Sequence, residues 1–400
     1  MAGTLTGWKR KNWGTIATLE YGKGLRGYQN SDGQYPVFGT NGQIGWHSEC
    51  LYPSGGVIVG RKGAYRGIHY SDSPFFVIDT AFYLKPIVDG SFSTKWAYYQ
   101  LLDFDINKMD SGSAIPSTSR DAFYAIQLNV PPIVTQHKIA AILSAYDDLI
   151  ENNLRRIKIL EEMAQNLYRE WFVKFRFPGH QHAHFIDSSL GRIPEGWEVN
   201  RILEFGNVIT GKTPSKANPD FYGADVPFVK TPDMHGNTFI LDVGERLSIV
   251  GSKSQANKTI PAGSICVSCI GTIGVVSITT EDCQTNQQIN TVVLMNEQFR
   301  EFLFFRLKDA KKALENLGAN GATMGNVNKG KFGSLEVVTP SNDLMDRYHE
   351  CASPLFSKML VLSRKNRNLR RTRHLLLPKL ISGAVDVSEL DITIPEEAAA

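Results

Sequence analysis

Residues 143–171 read LSAYDDLIENNLRRIKILEEMAQNLYREW. Leu143, Tyr146, Ile150, Asn153, Ile157, Leu160, Ala164, Leu167 and Trp171 follow one another in unbroken steps of three and four residues. This spacing is the seam of a coiled coil, in which one helix face meets its partner every 3.5 residues. Residues 352–380, ASPLFSKMLVLSRKNRNLRRTRHLLLPKL, repeat the rhythm 209 positions later, at Ala352, Leu355, Met359, Leu362, Asn366, Leu369, Arg373, Leu376 and Leu380. Two long helices are therefore predicted, roughly over 137–174 and 345–382. Ser353 and Pro354 are expected to cap or kink the start of the second.

Each seam carries one asparagine. In an antiparallel register where facing numbers sum to 519, Ile150 meets Leu369, Ile157 meets Leu362 and Leu160 meets Met359; Asn153 then meets Asn366. A polar pair in an apolar seam fixes register at some cost in stability. The alternative is that both asparagines lie on a solvated edge. From Cys351 to Val385 there is no acidic residue, but Lys358, Arg364, Lys365, Arg367, Arg370, Arg371, Arg373 and Lys379 are present. The first helix carries Asp147, Asp148, Glu151, Glu161, Glu162 and Glu170. Pairing across the helices is the simplest expectation; docking of other subunits, or contact with a nucleic-acid backbone, is the alternative.

Outward from the helices, the chain is written twice. Trp13, Leu19, Glu20, Tyr21 and Gly22 match Trp197, Leu203, Glu204, Phe205 and Gly206, an offset of 184 that makes the second globular part about 25 residues longer than the first. Further along, GGVIVGRKGAYRG (55–67) parallels AGSICVSCIGTIGV (262–275), an apolar strand followed by a Gly-rich turn. Each half then shows β-type runs, a helix-like stretch, a Ser/Thr/Gly loop (SGSAIPSTSR at 111–120, NGATMGNVNKG at 320–330), and a strand ending at proline. Each globular part is thus expected to mix α and β.

The 400 residues, 42% hydrophobic and 21% charged, allow two or three domains with full cores. The net charge of +3 means that nucleic-acid binding must rest on local basic surface. With no apolar leader and no long apolar window, a cytoplasmic protein without a membrane partner is expected. Five scattered cysteines, Cys50, Cys266, Cys269, Cys283 and Cys351, are unlike a disulfide framework; the CxxC spacing of Cys266 and Cys269 lacks a complete zinc ligand set. His180, His182 and His184 alternate in a Pro/Gly-flanked segment, where a solvated connector is favoured over a metal site.

One nucleotide motif needs weighing. GNVITGKT, residues 206–213, fits the phosphate-cradling GxxxxGK[ST] pattern, whose chemistry requires a helix to follow. Here Pro214 and Pro219 bracket turn residues, so a loop is expected instead. Asn218-Pro219-Asp220-Phe221 mimics the adenine methyltransferase [ND]PP[YF] signature without its second proline. No other complete catalytic or metal constellation is visible.

The Trp-led globular part, the VPPIVTQHKIAAILSAYDDLIENN helix start, the PGH…LGRIPEGW linker and the terminal LLLPKLISGAVDV together resemble the specificity subunits of type I restriction–modification enzymes, over nearly the whole chain. The resemblance implies an α+β protein with two mixed α/β target recognition domains in tandem, separated by two long antiparallel coiled-coil helices, in a pseudo-twofold internal repeat. The corresponding divisions are 1–135 (first recognition domain), 136–175 (first helix), 176–195 (linker), 196–340 (second recognition domain), 341–382 (second helix) and 383–400 (tail). It also implies a subunit without catalytic residues that reads a split, asymmetric double-stranded DNA sequence. Its partners would be two methyltransferase subunits carrying S-adenosylmethionine and restriction/translocase subunits using ATP and Mg; none of these cofactors would bind this chain. A helix of about 36 residues is roughly 54 Å long, or about 16 base pairs as an upper limit on separation. Two rival readings stay open, a coiled-coil adaptor without DNA binding and a P-loop nucleotidase.

Base edges and phosphates are reached by basic and polar side chains on loops. The DNA-contact candidates in the first domain are Lys23, Arg26, Tyr28, Arg61, Lys62, Tyr65, Arg66 and Arg120. In the second they are Lys212, Lys216, Lys230, His235, Lys329 and Lys331. No metal-binding residue is expected.

Overall fold

The computed structural model describes residues 7–29, 33–109, 116–319 and 325–394; the first five residues of each Ser/Thr/Gly loop, 111–115 and 320–324, lie outside them. The chain folds into two compact units, residues 1–150 with 368–400, and residues 151–367.

In the first unit a four-stranded antiparallel sheet runs in the order Ala17–Tyr21, Ala81–Pro86, Gly56–Gly60, Ile68–Ser71. A second sheet joins Gly42–His47, Tyr35–Gly39 and Phe76–Val77, the last pair parallel. Lys9–Asn12 pairs with Gln127–Val130 and so closes the domain just before the first long helix. The helix Thr94–Leu102 begins where the Ser93 hydroxyl accepts from the Trp96 amide, and it buries Trp96, Ala97, Tyr99 and Leu101. Trp13, Phe92, Trp96 and Phe123 form the centre of the core, with Trp13 and Phe123 stacked 5.7 Å apart. Leu377, Leu380, Ile381 and Val387, from the far end of the chain, complete the same core.

The second unit repeats the plan. A five-stranded sheet has the order Gly206–Thr210, Ile289–Leu294, Ile265–Ser268, Val276–Thr279, Phe239–Ile240. Tyr222–Val229 joins Arg246–Leu247 and Gln284–Thr285 in a second sheet, and Glu198–Arg201 pairs with Glu336–Thr339. The helix Arg300–Asp309 buries Phe302, Leu303, Phe304, Phe305 and Leu307 against Tyr168, Phe172, Tyr348 and Phe356. The linker 176–195 holds an antiparallel hairpin, Phe185–Ser188 with Gly191–Pro194.

Matching topology sets the repeat register at 189, not 184. Lys9–Asn12, the turn Trp13–Thr15 and Ala17–Tyr21 correspond to Glu198–Arg201, Ile202–Glu204 and Gly206–Thr210. Trp8 therefore corresponds to Trp197, and Gly22-Lys23 to Gly211-Lys212. With the helices offset by 209, the second part is about 20 residues longer, not 25. The extra residues fall before Ile265, in a stretch that includes the short helices Thr231–Met234 and Ile249–Lys253.

The long helices are Ile133–Tyr168, continued by a π-helical turn to Val173, and Asn342–Ile381. The second starts at Asn342 and passes Pro354 and Pro378 as a single helix, so Ser353 and Pro354 do not cap its start. Within the second unit Asn153 Nδ2 donates to Asn366 Oδ1 at 2.8 Å; Asn153 is 9% exposed and Asn366 1%. Within the first, Asp147 accepts from Tyr99 Oη at 2.6 Å and pairs with Arg373. The other acidic residues divide differently. Glu151, Glu162 and Glu170 pair with Arg155, Lys158 and Lys174 on their own segment, and Glu161 pairs with Lys308 at 2.7 Å. Arg367 donates to the Leu241 carbonyl. Much of the helix charge is therefore spent along one helix or on the recognition domain, because i,i+4 partners are always within reach on a helix surface.

Candidate nucleic-acid interface

At one end of the first unit's four-stranded sheet lies a cleft of about 920 Å³ lined by Tyr21, Arg61, Lys62, Phe82, Arg120, Asp121 and Tyr124 among others. Tyr21 and Phe82 are cross-strand partners at the ends of their strands. Arg61 and Lys62 follow the buried strand Gly56–Gly60, and Arg120 opens the helix Arg120–Ala125, whose Ser119 cap accepts from the Ala122 amide. The loops are tied together by the Thr118 amide, which donates to the Arg61 carbonyl at 2.9 Å, and by a bridge between Lys62 and Ser117. Both guanidiniums lie over the Tyr21 ring, Arg61 at 4.7 Å and Arg120 at 5.2 Å from its centroid. Arg61 also donates to the Asp79 carbonyl at 2.9 Å. Arg120 donates through Nε and Nη2 to the Tyr124 hydroxyl at 3.2 and 2.9 Å, and that hydroxyl also accepts from the Leu19 amide. Tyr21 and Tyr124 were not among the sequence candidates. Tyr21 stands directly before the Gly-Lys pair that recurs at the register of 189, but nothing in the sequence joins it or Tyr124 to the cleft.

Three predicted residues of the first domain thus converge: Arg61, Lys62 and Arg120. Lys23 and Arg26 are exposed on the segment leaving the Tyr21 strand; Tyr65 is 67% exposed, and Tyr28 is half-buried. Arg66 is a correction. It is 2% exposed, with Nη2 donating to the Ile106 and Asn107 carbonyls, so it is buried within the fold where an exposed loop cation was expected.

In the second domain Lys212, Lys216, His235 and Lys329 are exposed. Lys230 is half-buried in an ion pair with Glu245 at 2.5 Å, and Lys331 donates to the Leu317 carbonyl at the end of the helix Lys311–Gly318. An opposite charge and a helix terminus, respectively, thus engage these two lysines within the domain. The Gly211–Thr213 turn rests on a buried amide network. Gln255 Nε2 donates to the Lys212 carbonyl at 2.9 Å and to Gln284 Oε1 at 2.8 Å, and Gln284 Nε2 donates to Ser252.

The same turn cannot act as a phosphate loop. Residues 206–210 form a strand, the Gly211 and Lys212 amides already donate to the Ile289 and Thr285 carbonyls, and the next element is the single turn Pro219–Phe221. Gly22 and Lys23 make the matching bonds to Ala81 and Val77, so the motif is a structural turn present in both repeats. In that turn Asn218 caps Asp220, which accounts for the methyltransferase-like tetrapeptide. Cys266, Cys269 and Cys283 are buried; burial pushes the first two thiols up to about 12 and about 11. Among the described residues no group of three or more His, Cys, Asp or Glu side chains is placed to hold a metal, and no helix is long and apolar enough to cross a membrane.

The two domains share a frame but not a surface. The bridges Lys62 with Ser117 and Ile270 with Asn326 are equivalent, as are the caps Ser119 and Asn328. Arg61, Lys62 and Arg120 therefore correspond to Cys269, Ile270 and Lys329, and Tyr21 and Tyr124 to Thr210 and Gly333. The scaffold compensates for the last exchange: a Cβ on Gly14 would lie 2.8 Å from Tyr124, whereas one on Gly333 would lie 2.7 Å from Leu203, the counterpart of Gly14.

A protein with this doubled architecture, carrying its variable residues on equivalent loops, is of the class that displays two different readers on one frame. The family model described as type I restriction modification DNA specificity domain matches residues 6–162 and again 194–343, and the chain belongs to this family. It therefore carries two DNA specificity domains. The chain is 34% identical over 328 residues to the type I restriction enzyme HindI specificity subunit of Haemophilus influenzae, covering 68% of this chain and 71% of that one. It is 24% identical over 291 residues to the MjaIX specificity subunit of Methanocaldococcus jannaschii, covering 71% and 66%. The crystal structure of a type I restriction–modification S subunit from M. genitalium matches with a TM-score of 0.65 at 16% identity, over 95% of this chain and 98% of that one, and shows the same fold.

Proposed function

We propose that this chain is the non-catalytic specificity subunit of a type I restriction–modification complex and that it reads an asymmetric, bipartite DNA sequence, one half-site per recognition domain. The observation that carries this reading is the non-equivalence of matched loop positions, Arg61, Lys62 and Arg120 against Cys269, Ile270 and Lys329, on one repeated frame. Different donors at equivalent places read different bases, whereas a shared frame presents both domains to a duplex in the same way.

Methyltransferase subunits would supply S-adenosylmethionine, and restriction/translocase subunits ATP and Mg. Apolar side chains left exposed on the helix pair, Leu154, Ile159 and Met163 at 46–54%, offer surface for the methyltransferase subunits. The experiment is a genome-wide map of methylated bases in cells carrying this gene with its methyltransferase gene, against cells lacking this gene. A gapped, asymmetric adenine-methylated motif that vanishes with the gene is expected, and exchange of residues 1–135 should change one half of it. If no methylated motif depends on the gene, the proposal fails and a coiled-coil adaptor without DNA binding takes its place.

A further inference from the structure

We propose that the Tyr21 cleft of the first domain is a base-reading site, in which Arg61 and Arg120 present their guanidinium edges to the major-groove faces of neighbouring G·C pairs, one arginine to each guanine. This rests on the DNA-specificity reading above and assigns one site within it.

Three observations carry the assignment. First, both guanidiniums are held in place before any ligand arrives. Each lies over the Tyr21 ring, and each is anchored by hydrogen bonds, Arg61 to the Asp79 carbonyl and Arg120 to the Tyr124 hydroxyl. A phosphate contact needs only a positive charge, and mobile lysines serve it well. A fixed planar fork matches the O6 and N7 acceptors of guanine or two oxygens of one phosphate, and the carboxylate of Asp121 in the same cleft selects the base.

Second, each arginine keeps donors in hand. Arg61 is engaged through Nη1, and Arg120 through Nε and Nη2 to Tyr124 with a further hydrogen bond to the Tyr21 hydroxyl. A guanidinium has five N–H groups, so a bidentate edge remains on both. Third, the cleft also contains a carboxylate, the exposed Asp121. A carboxylate repels phosphate, but it accepts from the N4 amino group of cytosine, the base opposite guanine. Lys62, exposed at the rim, supplies the charge for the adjoining backbone. The equivalent positions of the second domain hold Cys269, Ile270, Lys329, Thr210 and Gly333, which supply neither a stacked guanidinium nor its aromatic platform. The pairs read by stacked arginines are therefore confined to one half of the target.

The test uses the full chain assembled with its methyltransferase subunits and synthetic duplexes bearing the motif that methylation mapping defines. Arg61→Lys and Arg120→Lys keep the charge and remove the fork. Each is expected to lower discrimination at one G·C pair of the first half-site by about 10- to 100-fold, with the other half read as before. Placing 7-deazaguanine at that pair should weaken wild-type binding and leave the corresponding Lys variant nearly indifferent. Unchanged discrimination in both Lys variants overturns the proposal, as does an even loss of affinity across all sequences, which marks a phosphate contact. Intact reading of the second half-site shows that a variant is folded. If the wild-type complex itself has no sequence preference, the specificity reading fails and this assignment with it.

Discussion

Replacing Asn366 with leucine would leave the Asn153 amide facing an apolar side chain of similar size. Asn153 is 9% exposed, and its Nδ2 donates to Asn366 Oδ1 at 2.8 Å. A buried donor deprived of its acceptor costs about 1–3 kcal/mol. In a cooperative unit of the size of residues 151–367, each kcal/mol shifts Tm by about 2–4 °C, so Asn366→Leu should lower it by roughly 2–12 °C. The double variant Asn153→Leu, Asn366→Leu removes both amides and joins the seam to Ile157 and Leu362. It should return to within about 1 kcal/mol of the wild type, since burying apolar groups in place of a paired polar group is nearly neutral. Thermal and urea unfolding of the wild type, both single variants and the double variant give the coupling energy. Loss in the double variant equal to the sum of the singles would refute the reasoning, as would a single-variant loss below about 0.5 kcal/mol. Register would then rest on the apolar seam alone.

Three further outcomes are expected. A Cβ at Gly211 would lie 2.2 Å from the Asn286 carbonyl oxygen, and one at Gly22 would lie 2.0 Å from that of Ile78; Gly211→Ala should abolish reading of the second half-site and Gly22→Ala of the first, as checked by methylation mapping. At pH 8, iodoacetamide should label exposed Cys351 in the native chain while sparing Cys266 and Cys269, whose thiols stay protonated up to about 12 and about 11; mass spectrometry reads the pattern, and labelling of either buried thiol without unfolding would contradict it. Burial raises the Glu301 carboxyl above its ordinary range, against the hydrogen bond from His349 at 2.7 Å. The folded state thus holds that proton more tightly than the unfolded chain. The associated stability is fully present below the ordinary carboxylate range and lost as pH rises through the raised value. Glu301→Gln should flatten the dependence of the urea midpoint on pH in that window, and an unchanged slope would assign the dependence elsewhere.

Much of this protein can be read along one strand of text. The seam residues follow local periodicity, so the long helices and the Asn153 to Asn366 register come from arithmetic on residue numbers. The doubling is also legible, although Trp13 misled it by five positions: Trp-Leu-Glu-aromatic-Gly matches at 184, Trp8 with Trp197 and Gly22-Lys23 with Gly211-Lys212 match at 189, and only the pairing of Lys9–Asn12 with Gln127–Val130 and of Glu198–Arg201 with Glu336–Thr339 chooses between them. The uninterrupted helix past Pro354 also ran against local expectation.

The candidate interface was less legible, because charge and loop position do not report a side chain's partner. Arg66 and Lys230 look like Arg61 and Lys212 in the sequence, yet Arg66 is buried against carbonyls and Lys230 is paired with a carboxylate. Tyr21 and Tyr124 become visible only when a strand end, a loop and a helix start are brought together from positions about 100 residues apart. Sequence by itself determined the elements whose signal is local and repeated: helix period, duplicated order and family membership. Tertiary structure alone decided which partners each basic side chain takes, because those partners come from chain segments that are remote in sequence and close in space.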